Sequence, residues 1–463
     1  MRRSFSYIKP YDVRGLVPDE LDEEDVRRIG AAFVHLLDAQ KVLLGRDMRV
    51  SSPRLADAFS AGVREQGAEV VDLGLVSVDM VYYASGAMAL PGAMITASHN
   101  PGEYNGIKFC RALAAPFGAQ SGLDALRETL LRGVPDGRQE PGTTSHLDVT
   151  TDFGDCVRRL VPLSAGRPLR VVMDAGNGVG GLAATAVLDD RLRRDAGITV
   201  DPLCFEPDGG FPNHPANPLE LENLTDLRQR VVETGADLGV AFDGDADRCF
   251  VVDERGEPVT ASTLMAWLGS LRLDKHPGAV VAVNAIASRS VRDAVEEKGG
   301  SLVRGRAGHS FMKELMSTHD AVFGGEHAGH YYFREFWNAD SGILAALHVL
   351  AALRAQDRPL SVVLEPFVRY HPSGELSIKV QSGEQVVRRV REHYHDRPCD
   401  WVDGLSLYFE DESWFSLRVA NTEPVVRLNV ESRTELRTRQ LRDEVLRLIE
   451  HQHTRPGPSS CDN

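Results

Sequence analysis

The sequence predicts an α/β protein with a separate α+β domain at its C-terminal end. Through the first three quarters of the chain, short apolar runs alternate with helical patterns, as they do in largely parallel sheets. After about residue 370, half-buried strand patterns follow one another and a long amphipathic helix closes the chain. At 463 residues the chain is too long for one core, and roughly 150 residues per domain suggests about three or four domains.

Six apolar runs end at Gly, Asp or Asn, as parallel strands do where they lead into functional loops. In chain order they are KVLLGRD, AEVVDLG, GAMITASHN, LRVVMDAGNG, DLGVAFDGD and AVVAVNA. LADAFSAGVREQG, between the first two, predicts a connecting helix. Functional side chains are therefore expected where these strands end.

The C-terminal pattern and the Pro- and Gly-rich stretches predict the domain boundaries. SGELSIKV, LSLYFEDESWFSLRVA and VVRLNVES read as strands, and ELRTRQLRDEVLRLIEHQ reads as the closing helix. The segment 133–145 is a predicted linker, and turns near 253–258 and 365–372 are further candidates. The predicted domains are 1–145, 146–253, 254–368 and 369–454, followed by a disordered tail at 455–463.

Composition restricts the function before any motif is considered. Fifty-two Lys and Arg residues against 67 Asp and Glu residues give a net charge of −15, which argues against a general binder of nucleic acid or acidic membranes. The six cysteines stand singly, and no apolar stretch approaches the roughly 18 residues of a membrane span. We therefore expect a cytoplasmic protein that concentrates cations for any anionic ligand in one cleft.

The motif TASHNP, residues 96–101, lies at the end of a predicted strand. It places Ser98 beside His99, with Lys108 ten residues further on. The partners of a nucleophilic serine usually converge from distant segments, and the GxSxG turn of esterases is absent. Taken alone, the motif is therefore also compatible with an ordinary polar loop.

The motif FDGDADRC offers three closely spaced carboxylates and a cation. Asp243, Asp245 and Asp247 supply the hard oxygen ligands that suit Mg²⁺, and Arg248 has the planar fork that binds phosphate. An EF-hand would begin with the same spacing, but it requires Gly where this chain has Arg248. A solvated acidic turn is the plainer alternative, although three close carboxylates repel one another without a cation among them.

A glycine pattern gives a competing interpretation. Gly176, Gly178 and Gly181 follow a strand at GxGxxG spacing, and Asp201 lies about 20 residues further on, as a dinucleotide site requires. The same glycines also suit a tight strand-to-helix turn that binds nothing. Sequence alone leaves both interpretations open.

Two later segments add candidate binding residues. GGEHAGH offers Glu326, His327 and His330, and a zinc site is disfavoured because the intervening glycine breaks any helix that would align the histidines. RVANTEPVVRLNVES predicts an anion-binding loop between two strands, although a plain β-turn explains its Asn-Thr pair equally well. The candidate ligands in that loop are Arg418, Asn421, Thr422 and Arg427.

These motifs occur together and in the same order in one known family. The chain resembles the α-D-phosphohexomutases over nearly its whole length, and among them most of all the bacterial phosphomannomutases. YDVRG opens the resemblance, TASHNP with YNGIK resembles the phosphoserine loop, and DGDADR resembles the metal loop. RAGHSFMK and GGEHAGH resemble the sugar-contacting segments, and NTEPVVRLNVES resembles the phosphate-binding loop.

The resemblance implies a fold and a role for each matching residue. The fold would be four domains around a central cleft, three related α/β domains with mixed sheets and a C-terminal α+β domain, and the GxGxxG would be a structural turn. Mg²⁺ would be held by phosphorylated Ser98, Asp243, Asp245 and Asp247. The catalytic residues would be Ser98, His99, Lys108 and Arg248. The substrate would be bound by Tyr11, Arg14, His309, Glu326, His327, Arg418, Asn421, Thr422 and Arg427.

The implied reaction interconverts mannose 6-phosphate and mannose 1-phosphate through a phosphoserine enzyme and a hexose 1,6-bisphosphate. Mg²⁺ would be the cofactor and the bisphosphate the activator. Glucose and glucosamine phosphates are alternative substrates, and a sugar-phosphate-binding paralogue with reduced turnover is a further alternative. The expected partners are phosphosugars, without nucleic acid or membrane, and the expected assembly is a monomer or homodimer.

Three positions depart from the family pattern. The family usually has Ser where this chain has Ala328 and Ala420, and many relatives have Met or Gln where it has His327. Each missing hydroxyl removes one neutral hydrogen bond, worth about 0.5–1.5 kcal/mol. These departures bear on the preferred sugar more than on the reaction.

Overall fold

The computed structural model describes residues 5–137, 140–163, 166–420 and 424–450. Within them, four sheets form the centres of four domains. The strands of the first domain are β1 (Val13–Leu16), β2 (Lys41–Arg46), β3 (Glu69–Leu75), β4 (Gly92–Ile95), β5 (Tyr104–Cys110) and β6 (Thr144–His146). Its helices are α1 (Glu23–Leu37), α2 (Ser52–Glu65), α3 (Val78–Met88) and α4 (Asp124–Arg132).

The second and third domains follow in the same alternation of strands and helices. The second contains α5 (Thr150–Leu160), β7 (Leu169–Asp174), α6 (Gly180–Val187), α7 (Asp190–Ala196), β8 (Ile198–Leu203), α8 (Thr225–Thr234), β9 (Leu238–Phe242), β10 (Cys249–Asp253) and β11 (Pro258–Val259). The third contains α9 (Ala261–Lys275), β12 (Val280–Asn284), α10 (Arg289–Glu297), β13 (Ser301–Gly305), α11 (His309–His319), β14 (Phe323–Gly325), β15 (Tyr331–Phe333), β16 (Ala339–Asp340), α12 (Gly342–Arg354) and α13 (Leu360–Leu364).

The first three sheets repeat one arrangement of strands. In each, a central strand pairs in parallel with the next two strands along the chain, β2 with β3 and β4, β7 with β8 and β9, and β12 with β13 and β14. An antiparallel strand then extends each sheet, namely β5, β10 or β15. The predicted mixed sheets of three related α/β domains are therefore confirmed, and the six runs predicted as strands are β2, β3, β4, β7, β9 and β12.

The fourth domain is an antiparallel sheet with two helices, as the change of pattern after about residue 370 predicts. Its elements are β17 (His371–Lys379), α14 (Gly383–His393), β18 (Cys399–Asp400), β19 (Leu405–Tyr408), β20 (Trp414–Val419), β21 (Val425–Ser432) and α15 (Glu435–Glu450). The predicted tail at 455–463 lies outside the described residues.

Two segments interpreted as linkers take part in sheets. The last residues of 133–145 enter β6, which pairs with β3. The turn at 253–258 is a hairpin in which the Asp253 carboxylate accepts hydrogen bonds from the backbone of Arg255 and Glu257 at 3.0 and 2.9 Å. Both segments connect elements and also close an edge of a sheet.

Packing separates the fourth domain from the other three. One continuous apolar cluster includes Leu43, Val171 and Val281, one from each α/β domain, whereas the fourth domain has its own cluster between its sheet and helices. Its contact with the third domain includes polar pairs, such as the 2.7 Å ion pair between Arg304 and Asp400. Polar interfaces of this kind permit relative motion of domains.

Helices α1 and α2 cross closely because glycines face the opposite backbone. A Cβ at Gly62 would overlap the carbonyl oxygen of Arg27, and one at Gly30 would overlap that of Phe59. We expect Gly62→Ala to lower the free energy of unfolding by about 1–3 kcal/mol, because the two helices must move apart. Gly269→Ala, in the interior of α9, is the matched control: its Cβ would lie 3.7 Å from the nearest atom, and alanine there gains about 0.5–1 kcal/mol. Urea unfolding of both variants measures the difference, and shifts of the same sign would contradict it.

Candidate active site

One cleft is lined by residues of all four domains. It brings together the predicted residues Tyr11, Arg14, Ser98, His99, Lys108, Arg248, His309, Glu326, His327, Arg418 and Arg427. Asn421 and Thr422 lie outside the described residues. The lining also includes Lys9 and Arg306, so an acidic protein concentrates cations in this cleft, as the charge balance predicts for an anionic ligand.

Ser98 lies in the loop after β4, in a left-handed backbone conformation. Its φ is +52°, and its side chain is buried. Its backbone N–H donates to Thr96 Oγ1 at 2.9 Å, which fixes the turn. Its hydroxyl donates to Asp243 Oδ2 at 2.7 Å and lies 3.2 Å from His99 Nδ1. Such strained positions are common at functional sites, and here the contacts with Thr96 and Asp243 hold the turn so that the hydroxyl lies at the floor of the cleft.

Arg49, a residue that the sequence analysis missed, organises the Ser98 loop. All five guanidinium N–H groups are used: Nε contacts Asp47 at 3.1 Å, and the other four donate at 2.6–3.0 Å to backbone carbonyls. Those carbonyls belong to Ser98, Asn100, Pro101 and Tyr104. The side chain is fully buried, and this burial lowers the pKa of Arg49. The position of Arg49 just after a predicted strand end was the available signal.

Three carboxylates meet in the loop after β9, directly beneath Ser98. Asp243, Asp245 and Asp247 are fully buried, with one oxygen of each within 4.8 Å of the others. In the described part of the chain, Oδ1 of Asp245 and Oδ1 of Asp247 are buried without a hydrogen-bond partner. Gly244 makes the arrangement possible, because a Cβ there would overlap the carbonyl oxygen of Ser98. Oxygen atoms so arranged are the ligands of a hard cation.

The charges in this cluster are strongly coupled. Burial and then the carboxylates of Asp247 and Asp245 raise the pKa of Asp243 to about 7. Burial opposes ionisation of Asp247 too, but Lys108, His330 and Arg248 together outweigh burial and lower the pKa of Asp247. Lys108 Nζ lies 2.7 Å from Asp245 Oδ2 and also contacts Asp247. A single lysine therefore balances only part of the negative charge of the three carboxylates.

The GxGxxG segment packs against the loop that carries Asp243, Asp245 and Asp247. A Cβ at Gly178 would lie 2.6 Å from the Gly244 carbonyl oxygen, and one at Gly181 would lie 2.6 Å from that of Phe205. Val179 N–H donates to the same Gly244 carbonyl at 3.0 Å. Packing of the turn against its neighbours explains these glycines without a nucleotide.

Arg248 is held by a chain of two hydrogen bonds. Its Nε donates to His330 Nε2 at 3.0 Å, and His330 Nδ1 lies 2.9 Å from Asp340 Oδ2. Because arginine only donates, His330 Nε2 accepts and the ring proton lies on Nδ1, where it is donated to Asp340. His330 was predicted as a binding residue or a disfavoured zinc ligand, not as a support for Arg248. Asp340 was missed, because nothing in the local sequence connects β16 with the loop of Asp243, Asp245 and Asp247.

We expect Asp340→Ala to lower kcat about 10–100-fold, because residues that orient a functional side chain contribute on this scale. Asp340→Asn is the matched control, because its amide oxygen still accepts from His330 Nδ1–H. The His330 ring and the Arg248 side chain that it holds should therefore stay in place. Steady-state kinetics and circular dichroism of both variants measure the effect. If the asparagine variant is as impaired as the alanine variant, the hydrogen bond is not what positions Arg248.

The third domain contributes the residues predicted to contact the sugar. Glu326, just after β14, accepts from the Gly308 N–H at 2.7 Å and from the Tyr332 hydroxyl at 2.5 Å, one bond to each oxygen. Each oxygen keeps a second lone pair. His309 Nε2 donates to the Tyr11 carbonyl at 3.0 Å, and burial lowers the pKa of His309 to about 4, so the ring is neutral at pH 7. The third domain thus supplies two acceptor oxygens, on Glu326, and the neutral imidazole of His309.

The fourth domain contributes two arginines that are already paired with carboxylates. Arg418 contacts Glu375 at 2.5 Å and Asp403 at 3.3 Å, and Arg427 contacts Glu375 at 3.3 Å. The Ala307 N–H donates to Asp403 at 3.3 Å, which links the third domain to the fourth across the cleft. Both arginines were predicted from the sequence, whereas neither carboxylate was.

Comparison with known proteins identifies the family. Profiles of the phosphoglucomutase/phosphomannomutase family match in order: alpha/beta/alpha domain I at residues 6–129, domain II at 152–256, domain III at 261–370 and the C-terminal domain at 375–448. A protein of Xanthomonas campestris named "Phosphohexose mutases" is 40% identical over 432 residues, which is 92% of this chain and 95% of that protein. The chain belongs to the phosphoglucomutase/phosphomannomutase family.

Further relatives agree with this assignment. The phosphomannomutase of Salmonella typhimurium is 35% identical over 95% of this chain and 97% of its own. The crystal structure of a phosphoglucomutase/phosphomannomutase family protein from Burkholderia thailandensis superposes with a TM-score of 0.87 at 30% identity, covering 96% of this chain and 97% of that one. This phosphohexomutase is therefore an enzyme of the isomerase class that transfers phosphoryl groups, with the four-domain fold of its family. Among its described helices, none is both long and apolar enough to cross a membrane.

Proposed function

We propose that this phosphohexomutase interconverts mannose 6-phosphate and mannose 1-phosphate through a phosphoserine at Ser98. The observation that carries the proposal is the position of the Ser98 hydroxyl, 2.7 Å from Asp243 at the floor of a cation-lined cleft. The choice of mannose is supported by relatives named phosphomannomutase at 35% and 34% identity, from Salmonella typhimurium and Escherichia coli. The preferred sugar is thus proposed from similarity alone. The phosphoryl chemistry is proposed from similarity and from the geometry around Ser98.

The residues around Ser98 fit a magnesium ion. Three buried carboxylates converge, and the unpartnered oxygens of Asp245 and Asp247 within the described chain are what a bound cation would satisfy. We propose that Asp243, Asp245 and Asp247 hold Mg²⁺ together with a phosphate oxygen on Ser98. When bound, the ion would neutralise charge on the phosphoryl group in transfer.

The cationic and basic side chains beside Ser98 have complementary proposed roles. Lys108, whose pKa is raised by the three carboxylates against the opposing effect of burial, stays charged and stabilises the transferring phosphoryl oxygens. Arg248 faces the same region and binds phosphate oxygens. His99 Nδ1, at 3.2 Å from the hydroxyl, supports a role in moving the proton on and off Ser98 Oγ.

The reaction then balances in two phosphoryl transfers. In the first, the bond between phosphorus and Ser98 Oγ breaks while a free sugar hydroxyl bonds to phosphorus. The hydroxyl gives up its proton and Ser98 Oγ takes one up, so that a hexose 1,6-bisphosphate and a free serine hydroxyl form. The bisphosphate turns end for end within the cleft. In the second transfer the bond between phosphorus and the other sugar oxygen breaks while Ser98 Oγ bonds to that phosphorus. The serine gives up its proton, the released sugar oxygen takes one up, and the monophosphate isomer leaves. The bisphosphate would also act as activator, because it phosphorylates an enzyme that has lost its phosphate.

Residues distant from Ser98 would hold the ends of the substrate that do not react. Arg418 and Arg427, with Asn421 and Thr422 proposed from sequence alone, would bind the non-reacting phosphate. Glu326 would accept hydrogen bonds from sugar hydroxyls, and the cleft-lining residues Tyr11, Arg14 and His309 would complete the site. A phosphorylated sugar does not cross membranes freely, so we propose that the enzyme works in the cytoplasm.

Turnover on mannose, glucose and glucosamine 1-phosphates, with Mg²⁺ and the bisphosphate activator, tests the proposed substrate. We expect the highest kcat/KM on mannose 1-phosphate, with glucose 1-phosphate also turned over. A strong preference for glucosamine 1-phosphate would refute the choice of sugar. Tight binding of all three without turnover would instead indicate a sugar-phosphate-binding paralogue. That alternative is considered because Ala328 and Ala420 stand where the family usually has serine.

A further inference from the structure

One histidine in the cleft is held in a single tautomer by a buried amide. Asn284, the last residue of β12, is fully buried, and its side chain faces the loop after β14. Its Oδ1 accepts from the His327 backbone N–H at 3.3 Å, and its Nδ2 lies 2.8 Å from His327 Nδ1. A backbone N–H can only donate, so Oδ1 faces it and Nδ2 is left to donate to the ring.

This pairing determines where His327 carries its proton. Because Nδ1 accepts from Asn284, it has no hydrogen of its own, and a neutral ring must carry its hydrogen on Nε2. Burial and then the positive charge of Arg418 lower the pKa of His327 to about 4, against the opposing effect of Glu375, so the ring is neutral at pH 7. The nitrogen that remains for a ligand is therefore Nε2, and it is a donor.

The surroundings of His327 indicate what that donor meets. His327 lines the same cleft as Glu326, which presents acceptor oxygens, and as the arginine pair of the fourth domain, and the charge of Arg418 acts on the His327 ring. The ring hydroxyls of a hexose held between the carboxylate and the cationic phosphate site would lie near His327. Hydroxyl oxygens both donate and accept, so one sugar can donate to Glu326 and accept from His327.

We propose that Asn284 is a positioning residue that holds His327 as a hydrogen-bond donor, and that His327 Nε2–H donates to one ring hydroxyl of the bound sugar and so contributes to the choice of hexose. The inference rests on the proposed function, because it concerns the sugar in that same cleft. Asn284 acts only through His327 and does not touch the substrate.

Two replacements of His327 distinguish the role of Nε2 from that of Nδ1. The His327→Gln amide nitrogen reaches the place of Nε2 and keeps a donor there, whereas His327→Asn reaches only the place of Nδ1. We expect His327→Asn to lower kcat/KM roughly fivefold to tenfold, the loss of one neutral hydrogen bond, and His327→Gln to lower it much less. His395→Gln, at an exposed histidine of the fourth domain, is the control for the chemical change itself.

Deoxy sugars identify the partner of Nε2. The 2-, 3- and 4-deoxyhexose 1-phosphates are compared on the wild-type enzyme and on His327→Asn. Because the bisphosphate turns end for end, Nε2–H meets one hydroxyl in the first transfer and a different one can face it in the second. We expect the penalty of His327→Asn to shrink for each analogue that lacks such a hydroxyl and to remain in full for at least one of the three. Equal penalties for all three analogues would overturn the proposal, because they would indicate a phosphate contact or a structural role.

The tautomer of His327 is measured by NMR spectroscopy, independently of any activity assay. In protein labelled with ¹⁵N-histidine, the His327 signals are assigned by their loss in His327→Gln, and their couplings show which nitrogen bears the hydrogen. We expect Nε2–H in the wild type and a mixture of tautomers in Asn284→Ala. A wild-type ring protonated on Nδ1 would overturn the role of Asn284. Inactivity of the wild type on every hexose phosphate would instead count against the proposed function, and the spectrum would still decide the tautomer.

Discussion

Ser98→Ala is expected to lower turnover by at least about 10⁴-fold, because it removes the atom that carries the phosphoryl group between the two transfers. Alanine keeps the backbone and the volume of the site, and Ala246 already adopts a comparable positive φ of +63° in the neighbouring loop. The variant should therefore fold and still bind hexose phosphate. Loss of kcat with retained binding is the expected signature.

The measurement pairs kinetics with ligand binding. kcat is determined with the coupled assay, and the dissociation constant of the hexose 1,6-bisphosphate is determined by calorimetry. Ser317→Ala, at an exposed position on α11, is the control and should behave as the wild type. Ser98→Ala that retains even a hundredth of the wild-type rate would show that the phosphoryl group does not pass through this residue.

Arg49→Lys should lower kcat about 100-fold or more, although both side chains are cationic. Lysine has three donors without the planar fork of arginine, so at least two of the five acceptors that Arg49 binds, Asp47 and the four loop carbonyls, lose their partner. A buried polar group without a partner costs about 1–3 kcal/mol, so the loop is expected to rearrange. A displacement of about 1 Å at Ser98 is enough to reduce the rate about 100-fold.

The control for this variant is Arg54→Lys, at an exposed ion pair with Glu23 of 2.8 Å on the same domain. Rates, unfolding temperatures and the extent of phosphorylation of Ser98 by the bisphosphate are compared between the two. We expect Arg54→Lys to be nearly silent. If Arg49→Lys is equally silent, the guanidinium fork does not define the Ser98 loop.

The sequence predicted the parts of the site that stand in short motifs. Ser98 and the aspartates of the DGDADR loop each follow a buried strand, so the strand pattern indicates two functional loops. The strands belong to two different sheets, and only the folded chain shows that the loops meet. The α/β class, the change after about residue 370 and the cation-rich cleft were accessible in the same way. These features depend on local pattern, on charge balance and on the tendency of functional loops to follow the carboxyl ends of parallel strands.

The residues that hold the motifs in place were missed because they act across long distances in sequence. Arg49 reaches carbonyls about fifty positions away, and Asp340 acts on Arg248 through His330. Glu375 binds two arginines that lie beyond α14. None of these contacts leaves a periodic signal, so only the folded chain brings them together. The shared strand order of the first three sheets was likewise invisible at the level of residue identity.

The passage of the phosphoryl group through Ser98 is the central claim, and a transfer experiment tests it most directly. Enzyme is loaded from ³²P-labelled hexose 1,6-bisphosphate, the label is located by peptide mass spectrometry, and unlabelled mannose 1-phosphate is then added with Mg²⁺. We expect the label on Ser98 and its transfer to sugar phosphate at a rate no slower than kcat. Label on another residue, or label that stays on Ser98 while mannose 6-phosphate accumulates through many turnovers, would contradict the account.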